Sequence, residues 1–390
     1  MRTLILSCNT GEGHNSCAKA IQETYATHDE TCDIVDALQF ISKRASRFIS
    51  GWHSRIYRYA PKLYKAGYHS AEERTSVFRE GTTVYRYLTS GSEKLYHFIL
   101  NGGYDRIICT HVFPALALSA MLKHHPMPLV TGFVSTDYTC SPSVEKSDLD
   151  YYFIPDVSLV DEFVRCGVPR ERLIACGMPV RRAFYQHTDK AAAKRELGMP
   201  VEHQHLLLMC GSIGCGPIKE LAEELSIRLT AQQELTIVCG ANEELFAKLE
   251  KLFGLDPRIH IHGMVDYVPL LMHSADLFLT KPGGLSTSEA AVCGVPMLLM
   301  DTVAGCEGHN LDFFLRQGIA VTADTPKLLA DTAMALLADP ERLQELSRAA
   351  RQRKGDTPSE TIYAFLHRQK KQLPHQAQYA YLLQFSFRYK

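Results

Sequence analysis

One segment of the sequence combines the residue types that could hold a phosphorylated nucleotide. Over residues 280–290 a predicted strand end, two glycines and a helix start follow one another. Glycines let the backbone approach a ligand closely, and the free N–H groups at a helix start point toward an anion. Ser286 and Thr287 could donate hydrogen bonds to a diphosphate, and the Glu289 carboxylate could accept hydrogen bonds from both hydroxyls of a ribose. Taken alone, the segment is explained equally well as a capped helix of any α/β protein.

The elements that must position this segment follow from short apolar runs that alternate with amphipathic stretches, a pattern typical of strand–helix–strand units around parallel sheets. Strands are predicted at residues 3–8, 32–35, 106–110, 129–135, 151–154, 205–210, 235–239, 259–261, 276–280, 298–300 and 320–321. Helices are predicted at residues 16–27, 159–166 and 219–230. Each half opens with a strand, a glycine loop and a helix. The predicted fold class is therefore α/β, with two doubly wound Rossmann-like domains that face one another across a cleft.

The length of the chain also indicates two domains, since 390 residues exceed what one hydrophobic core usually serves. We expect a first domain over residues 1–180 and a second over residues 200–345. The stretch 181–204 between them is polar and lacks a clean strand. The remaining residues, 346–390, are expected to form a C-terminal helix and a basic aromatic tail.

Charge and apolar runs exclude several classes of function. Lys and Arg number 42 against 43 Asp and Glu, so no global field favours a nucleic acid, and no nucleic-acid partner is expected. The apolar runs are far shorter than the roughly 20 residues of a transmembrane helix, and the N-terminal one is too short for a signal peptide. The 12 cysteines contain no CxxC pair, which favours free thiols in a reducing cytosol over disulfides. A cytoplasmic location is expected.

A metal cofactor is not expected. The one Asp-x-Asp triplet, Asp148 to Asp150, precedes the predicted strand 151–154. It therefore lies away from the sheet edge at which such folds bind ligands. We interpret these carboxylates as solvated turn residues, and no His, Cys and carboxylate cluster has the spacing of metal ligands.

A basic aromatic stretch indicates contact with a membrane. Residues 37–71 contain no Asp or Glu but carry seven cations and many aromatic residues. On a helix, Trp52 lies on an aromatic face, and Arg47, Arg55 and Arg58 share a neighbouring face. This composition is typical of a helix that lies in the interface of an anionic membrane surface. The alternatives are a surface helix whose aromatics pack on the sheet and, less favoured by the neutral charge balance, binding of single-stranded nucleic acid.

A set of short motifs, in order along the chain, resembles the monogalactosyldiacylglycerol synthase and processive diacylglycerol glucosyltransferase group of glycosyltransferase family 28. The motifs lie at residues 10–14, 18–21, 111–114, 136–138, 177–181, 239–242, 263–265, 281–284 and 288–290 and at Asn310. The resemblance covers about residues 3–345. It implies the GT-B fold, with a UDP-hexose bound by the second domain and a diacylglycerol-type lipid acceptor bound by the first, without a metal ion.

The resemblance also implies roles for individual residues. The backbone around Met264 and Val265 would contact the uracil, Glu289 would bind the ribose, and Asn310 would contact the sugar hydroxyls. The remaining residues of the predicted nucleotide-sugar site are Gly214, Asn242, Gly283, Gly284, Leu285, Ser286 and Thr287. The helix that starts there would stabilise the charge of the leaving UDP.

Inversion at the anomeric carbon requires a base that accepts the proton of the acceptor hydroxyl. His14 is the first candidate because the start of a helix favours a neutral imidazole. Asp137 is the second, since it follows a predicted strand at the edge where such sheets place their sites. Either could instead be structural, His14 bonded to a local carbonyl and Asp137 capping the next turn. Glu12 is a third carboxylate near the predicted cleft.

The sequence departs from the family pattern at a few positions. The plant galactolipid enzymes have Asp where this chain has Asn9 and Gly where it has Glu12. A Trp that follows the Asp137 motif is absent, and Cys306 replaces an expected Gln before Asn310. The loss of that Gln leaves the donor open between glucose and galactose, and the changes in the first domain leave the acceptor open.

We therefore predict an inverting glycosyltransferase that moves a hexose from a UDP-sugar to diacylglycerol or glycosyl-diacylglycerol. It would be cytoplasmic and peripherally associated with the inner face of the cell membrane. Two alternatives are an N-acetylglucosamine transferase that acts on a cell-wall lipid intermediate and a catalytically silent UDP-sugar binder. The silent binder would account for an intact second domain beside an altered Asn9–Glu12 loop.

Overall fold

A computed structural model describes residues 2–9, 11–42, 80–186, 188–300, 305–351 and 357–370. The chain divides into two compact units, and within the described residues each is built around one parallel six-stranded sheet. The first unit contains the described residues up to Pro179 and those after Asp356, and the second contains the described residues from Val180 to 351. The predicted membrane residues Arg47, Trp52, Arg55 and Arg58 lie outside the described residues.

The sheet of the first unit has the strand order β2-β1-β3-β4-β5-β6. Its strands are β1 (Arg2–Ser7), β2 (Thr31–Asp36), β3 (Arg106–Cys109), β4 (Val130–Val134), β5 (Tyr151–Ile154) and β6 (Leu173–Ala175). The first five match the predicted strands to within one residue at each end. They are mostly buried apolar runs, as a parallel sheet covered on both faces requires.

The helices of the first unit cover this sheet. They are α1 (Glu12–Thr27), α2 (Leu38–Ile41), α3 (Thr83–Thr89), α4 (Ser92–Gly102), α5 (Val112–His124) and α6 (Val160–Cys166). Helix α1 starts four residues before the predicted position, which places His14 in its first turn. Helix α6 ends at Gly167, whose φ of 109° is the left-handed conformation that glycine adopts most readily.

The sheet of the second unit has the strand order β12-β11-β10-β7-β8-β9. Its strands are β7 (Gln204–Met209), β8 (Gln233–Val238), β9 (Ile259–His262), β10 (Leu277–Thr280), β11 (Met297–Leu299) and β12 (Ala320–Thr322). Its helices are α7 (Lys190–Glu196), α8 (Ile218–Arg228), α9 (Glu243–Phe253), α10 (Val268–Ser274), α11 (Gly284–Cys293), α12 (Cys306–Arg316), α13 (Pro326–Leu337) and α14 (Pro340–Arg351). All six strands lie within two residues of their predicted bounds.

The last described residues, 357–370, belong to the first unit. Helix α15 (Pro358–Arg368) inserts Ile362 and Leu366 into the core formed by α1 and the first sheet. Arg106 of β3 fixes the end of this helix, because its Nε donates to the Leu366 carbonyl at 3.0 Å. Helix α15 thus packs in the first unit, whereas α14, which precedes it in the sequence, belongs to the second unit.

Both sheets contain a point at which the winding direction reverses. It lies between β1 and β3 in the first sheet and between β7 and β10 in the second. Loops that leave the carboxyl ends of such neighbouring strands run to opposite faces and open a crevice in which α/β proteins bind ligands. The described residues 8–9 and 11 and the loop at 110–111 meet this condition in the first unit, and the loops at 210–217 and 281–283 meet it in the second.

Candidate functional site

The loop between β10 and α11 has the geometry of an anion site. Gly283 occupies the N-cap position of α11, and no side chain caps the helix there. The first N–H groups of the helix, beginning with those of Gly284 and Leu285, are therefore those that a diphosphate could bind. Leu285 and Ser286 are half-buried in this first turn. The structure thus places four of the predicted nucleotide-sugar residues together.

Two hydroxyl groups of this helix bond to its own backbone. Thr287 is fully buried, and its Oγ1 donates to the Gly283 carbonyl at 2.8 Å. Ser288 Oγ donates to the Gly284 carbonyl at 2.6 Å. These bonds fix the glycine loop from behind. Of the two hydroxyls predicted to contact a diphosphate, that of Ser286 is therefore the more accessible, and the role of Thr287 as a ligand stays a prediction.

The glycine loop is also held by side chains of helix α12. Asn310 is fully buried, and its Nδ2 donates to the Pro282 carbonyl at 3.0 Å. Lys281 Nζ pairs with Glu307 Oε1 at 2.6 Å. The structure therefore shows that Asn310 supports the loop, and its contact with the donor sugar stays a prediction. The Lys281–Glu307 pair was not predicted, although Lys281 begins one of the motifs, Glu307 lies three residues before Asn310 and the two have opposite charges.

The second glycine loop of this unit follows β7. Gly214 has a φ of 62°, and a Cβ atom there would lie 2.1 Å from the Cys239 carbonyl oxygen, so only glycine fits. Asn242 Nδ2 donates to the Gly214 carbonyl at 2.8 Å, and its Oδ1 caps α9 by accepting from the Leu245 N–H at 3.1 Å. Gly214 and Asn242 thus contact each other and join the ends of β7 and β8.

Met264 and Val265 lie in the turn after β9. The side chain of Met264 is 61% exposed, and Val265 is half-buried. Their backbone is at the carboxyl end of the sheet, where ligands of such folds bind. Their predicted contact with a uracil stays a prediction.

Glu289 is a buried carboxyl group in the second turn of α11. The residue is 6% exposed, and burial raises the pKa of its carboxyl group to about 8, against a smaller opposing effect of the Arg181 charge. The Arg181 guanidinium lies 5.6 Å from the ring centre of Phe184, and its Nε is buried without a hydrogen-bond partner among the described residues. At neutral pH the carboxyl group is therefore largely protonated in the absence of ligand.

His14 faces the ends of β3 and β4 in the first unit. Its Nδ1 lies 2.7 Å from the Thr110 carbonyl and 3.1 Å from Thr136 Oγ1. A carbonyl oxygen only accepts, so Nδ1 carries the proton and Nε2 is the accepting nitrogen of the neutral ring. This arrangement holds the imidazole in the tautomer that a general base at Nε2 requires.

The loop after β4 brings Asp137 next to the partner of His14. Thr136, which contacts His14, immediately precedes Asp137, and the Asp137 carbonyl accepts from Ser135 Oγ at 3.0 Å. His111 packs edge-on against His14, with ring centres 4.6 Å apart, and its Nδ1 caps α5. The structure thus places His14 in contact with the residue that precedes Asp137, at the carboxyl ends of β3 and β4. The contacts of Thr110, Thr136 and His111 were not predicted, although Thr110 and His111 directly follow β3 and Thr136 lies in the loop after β4.

The Asp-x-Asp triplet supports the sheet. Asp150 Oδ2 accepts from the N–H and the hydroxyl of Thr131 at 2.9 and 2.7 Å, and Asp148 pairs with Arg172 at 2.6 Å. Asp148 is solvated as predicted, whereas Asp150 is half-buried and ties β5 to β4. Within the described ranges no group of three or more His, Cys, Asp or Glu residues could hold a metal ion. No helix of those ranges is long and apolar enough to span a bilayer.

Known proteins resemble this chain along most of its length. Residues 14–180 match the family model of monogalactosyldiacylglycerol (MGDG) synthase, and residues 218–353 match that of glycosyl transferases group 1. A processive diacylglycerol beta-glucosyltransferase of Staphylococcus saprophyticus is 25% identical over 359 residues, which cover 89% of this chain and 88% of that protein. These matches confirm the resemblance that the motifs predicted.

Solved structures share the fold. The structure of MurG from Acinetobacter baumannii has a TM-score of 0.63 at 11% identity and covers 94% of this chain and 99% of its own. The S. aureus MnaA–UDP structure has a TM-score of 0.62 at 14% identity, and the match covers 93% of this chain and 94% of that protein. At these identities the likeness concerns the fold alone, and it confirms the predicted GT-B class with its two parallel sheets.

Proposed function

We propose that this chain, which joins an MGDG synthase domain to a glycosyl transferases group 1 domain, transfers a hexose from a UDP-sugar to diacylglycerol or a glycosyl-diacylglycerol. The observation that carries the proposal is the 25% identity, along 89% of the chain, to a processive diacylglycerol beta-glucosyltransferase. The name of this relative favours glucose over galactose as the transferred sugar. The enzyme would need no metal cofactor, because the chain offers its own groups for the charge of UDP.

The second unit would bind the donor. The N-terminus of α11 would hold the diphosphate, and its positive end would stabilise the charge that develops as UDP leaves. Glu289 would accept hydrogen bonds from the ribose, with Met264 and Val265 beside the uracil. The Lys281–Glu307 pair and the buried Asn310 would keep the glycine loop in place. This support fixes the N–H groups of the loop before the ligand arrives, which lowers the cost of reorganising the site on binding.

The first unit would activate the acceptor. His14 Nε2 would take the proton of the acceptor hydroxyl while that oxygen forms a bond to the anomeric carbon. The bond from this carbon to the β-phosphate oxygen breaks at the same time, UDP leaves with the electron pair, and the configuration inverts. The Thr110 carbonyl at Nδ1 would stabilise the imidazolium that forms. Asp137 is the alternative base.

The lipid acceptor requires contact with a membrane surface. We place this contact at the basic aromatic stretch that contains Arg47, Trp52, Arg55 and Arg58, at the inner face of the cell membrane. Each cation near an anionic surface adds roughly 1 kcal/mol, so several give reversible peripheral attachment. Helix α3 supports this location, because it follows that stretch and exposes two apolar side chains, Val84 and Tyr87.

Transfer assays on lipid vesicles test the proposal. Vesicles that contain diacylglycerol would be incubated with radiolabelled UDP-glucose, UDP-galactose or UDP-N-acetylglucosamine, and the lipid products separated by chromatography. We expect a labelled glycosyl-diacylglycerol with one of the two UDP-hexoses. Transfer from UDP-N-acetylglucosamine alone, to a cell-wall lipid intermediate supplied in parallel vesicles, would favour the N-acetylglucosamine transferase alternative. Saturable UDP binding without any turnover would identify a silent binder.

A further inference from the structure

The first unit contains a cavity that is lined mostly by residues with polar side chains and to which the proposed function above assigns no group. Its volume is about 980 Å³, near the upper end of the roughly 300–1,000 Å³ range of ligand pockets. One wall is a stripe of α1 formed by Glu12, Asn15, Lys19 and Gln22, which recur every three or four residues and so share one face. The edge strand β2 and the end of α4 form the other walls. All lining residues belong to the first unit.

A chain of hydrogen bonds fixes the polar groups at one end of this cavity. Ser7 Oγ donates to Asn15 Oδ1 at 2.7 Å, and Asn15 Nδ2 donates to Asn9 Oδ1 at 2.9 Å. Asn9 Nδ2 then donates to Asp36 Oδ2 at 3.1 Å. Each amide is thus oriented by its neighbour, so its remaining donors and acceptors point in set directions before any ligand binds.

The charges that line the cavity nearly cancel. Two cations, Arg2 and Lys19, face three carboxylates, those of Glu12, Asp33 and Asp36. Arg2 is already paired with Asp33 at 2.9 Å. Such a cavity has no excess positive charge for a phosphate and only a small excess of negative charge for a cation. The ligand that suits it is neutral and carries many groups that both donate and accept hydrogen bonds.

We propose that this cavity binds the sugar ring of a neutral glycoside, with the hexose of a glycosyl-diacylglycerol as its lipid-borne form. Hydroxyl groups both donate and accept, which matches the mixture of amide and carboxylate side chains. Phe98 of α4 is partly exposed and offers an apolar surface for the C–H face of the ring. Asn9 and Glu12, two of the positions at which the sequence departs from the plant galactolipid enzymes, both line the cavity. This inference rests on the proposed function, since an acceptor that already carries a hexose presents this group.

Ligand-observed NMR with methyl β-glucoside and methyl β-galactoside tests the inference, with the full chain saturated with UDP. We expect at least one of the two to bind with a dissociation constant on the order of millimolar, unchanged by UDP, because the donor site lies in the other unit. If neither glycoside binds, or if UDP displaces the bound one, the inference is overturned.

Two variants locate the binding. Lys19 is exposed on α1 and lines the cavity, so Lys19→Trp fills it from a position that tolerates a large side chain. Ala26 is exposed on the same helix outside the cavity, and Ala26→Trp introduces the same side chain there. Glycoside affinity should fall at least tenfold in the first variant and stay unchanged in the second, with equal UDP affinity and circular dichroism in both. Equal glycoside binding by the Lys19 variant and the wild type would place the ligand elsewhere and refute the assignment.

Competition experiments separate the two sources of the sugar ring. Micelles of glycosyl-diacylglycerol, but not of diacylglycerol, displace the methyl glycoside if the headgroup of the lipid is the ligand. Displacement by free glycosides alone identifies a soluble sugar as the ligand. Failure of the proposed function has a different signature, which is absence of UDP binding or of transfer to both diacylglycerol and glycosyl-diacylglycerol. Transfer without glycoside binding therefore overturns this inference and leaves the proposed function intact.

Discussion

The buried carboxyl group of Glu289 predicts that UDP binding releases a proton. Burial raises its pKa from 4.5 to about 8 in the free protein. If the carboxylate accepts hydrogen bonds from both ribose hydroxyls, the bound state requires the ionised form. At pH 7 about 0.9 of a proton is then released for each UDP bound, because a group with a pKa of about 8 is about nine-tenths protonated there.

The same linkage sets the pH dependence of the affinity. The pKa of the carboxyl group is raised in the free state, so UDP affinity increases with pH and levels off above about pH 8. Between pH 9 and pH 7 the dissociation constant should rise about tenfold, which corresponds to about 1.4 kcal/mol. The phosphate groups of UDP do not obscure this effect, because a phosphate has a second pKa of about 6.

Isothermal titration calorimetry in buffers of different ionisation enthalpy measures this proton release. Glu289→Gln should bind UDP with an affinity that is lower at pH 9, nearly independent of pH and without linked protons. Glu220→Gln makes the same chemical change at an exposed position of α8 and should keep the wild-type proton release. The reasoning is refuted if the wild type releases no proton at pH 7 or if the Glu289 variant still releases one.

Three further predictions test the base, the membrane contact and the packing of the last helix. His14→Ala should lower turnover by roughly 10²–10⁴-fold with unchanged UDP affinity in calorimetry; full activity would transfer the role of base to Asp137. Replacing Arg47, Arg55 and Arg58 with Glu should lower the partition coefficient onto anionic vesicles, measured by sedimentation, at least about a hundredfold. Unchanged sedimentation would mean that the stretch has a structural role and does not bind the membrane. Ile362→Ala should destabilise the first unit by about 2–5 kcal/mol, visible as faster hydrogen exchange in α1 and α15; unchanged exchange would contradict the packing of α15 on α1.

The strands could be predicted because they are short runs of buried apolar residues bounded by turn residues. Strand β6 was not predicted because it lies at the edge of the sheet and its three residues are half-buried or exposed, so they do not form a buried apolar run. The start of α1 was also missed. Gly11 stands at its N-cap, so the helix start lacks a Ser, Thr, Asp or Asn side chain that caps the first turn.

The parts of the candidate site that could be predicted are those whose residues follow one another in the sequence. The glycine loop before α11 is of this kind, since its geometry follows from the local order of strand, glycines and helix. Pairs that join distant segments left no such signal. Lys281 and Glu307 are brought together only because β10 and β11 are neighbours in the sheet, and the partners of His14 come from the ends of β3 and β4.

The contacts of the donor site suggest why the departure at Cys306 can be tolerated. The buried polar side chains nearest the glycine loop, those of Thr287 and Asn310, bond to its carbonyl groups. The diphosphate would then meet main-chain N–H groups, whose positions depend on the turn and not on a particular side chain. Substitution of a residue that contacts only the donor sugar would alter the choice of sugar and leave the binding of UDP intact. We therefore expect UDP binding to depend on the residues that hold the turn, Asn310 foremost.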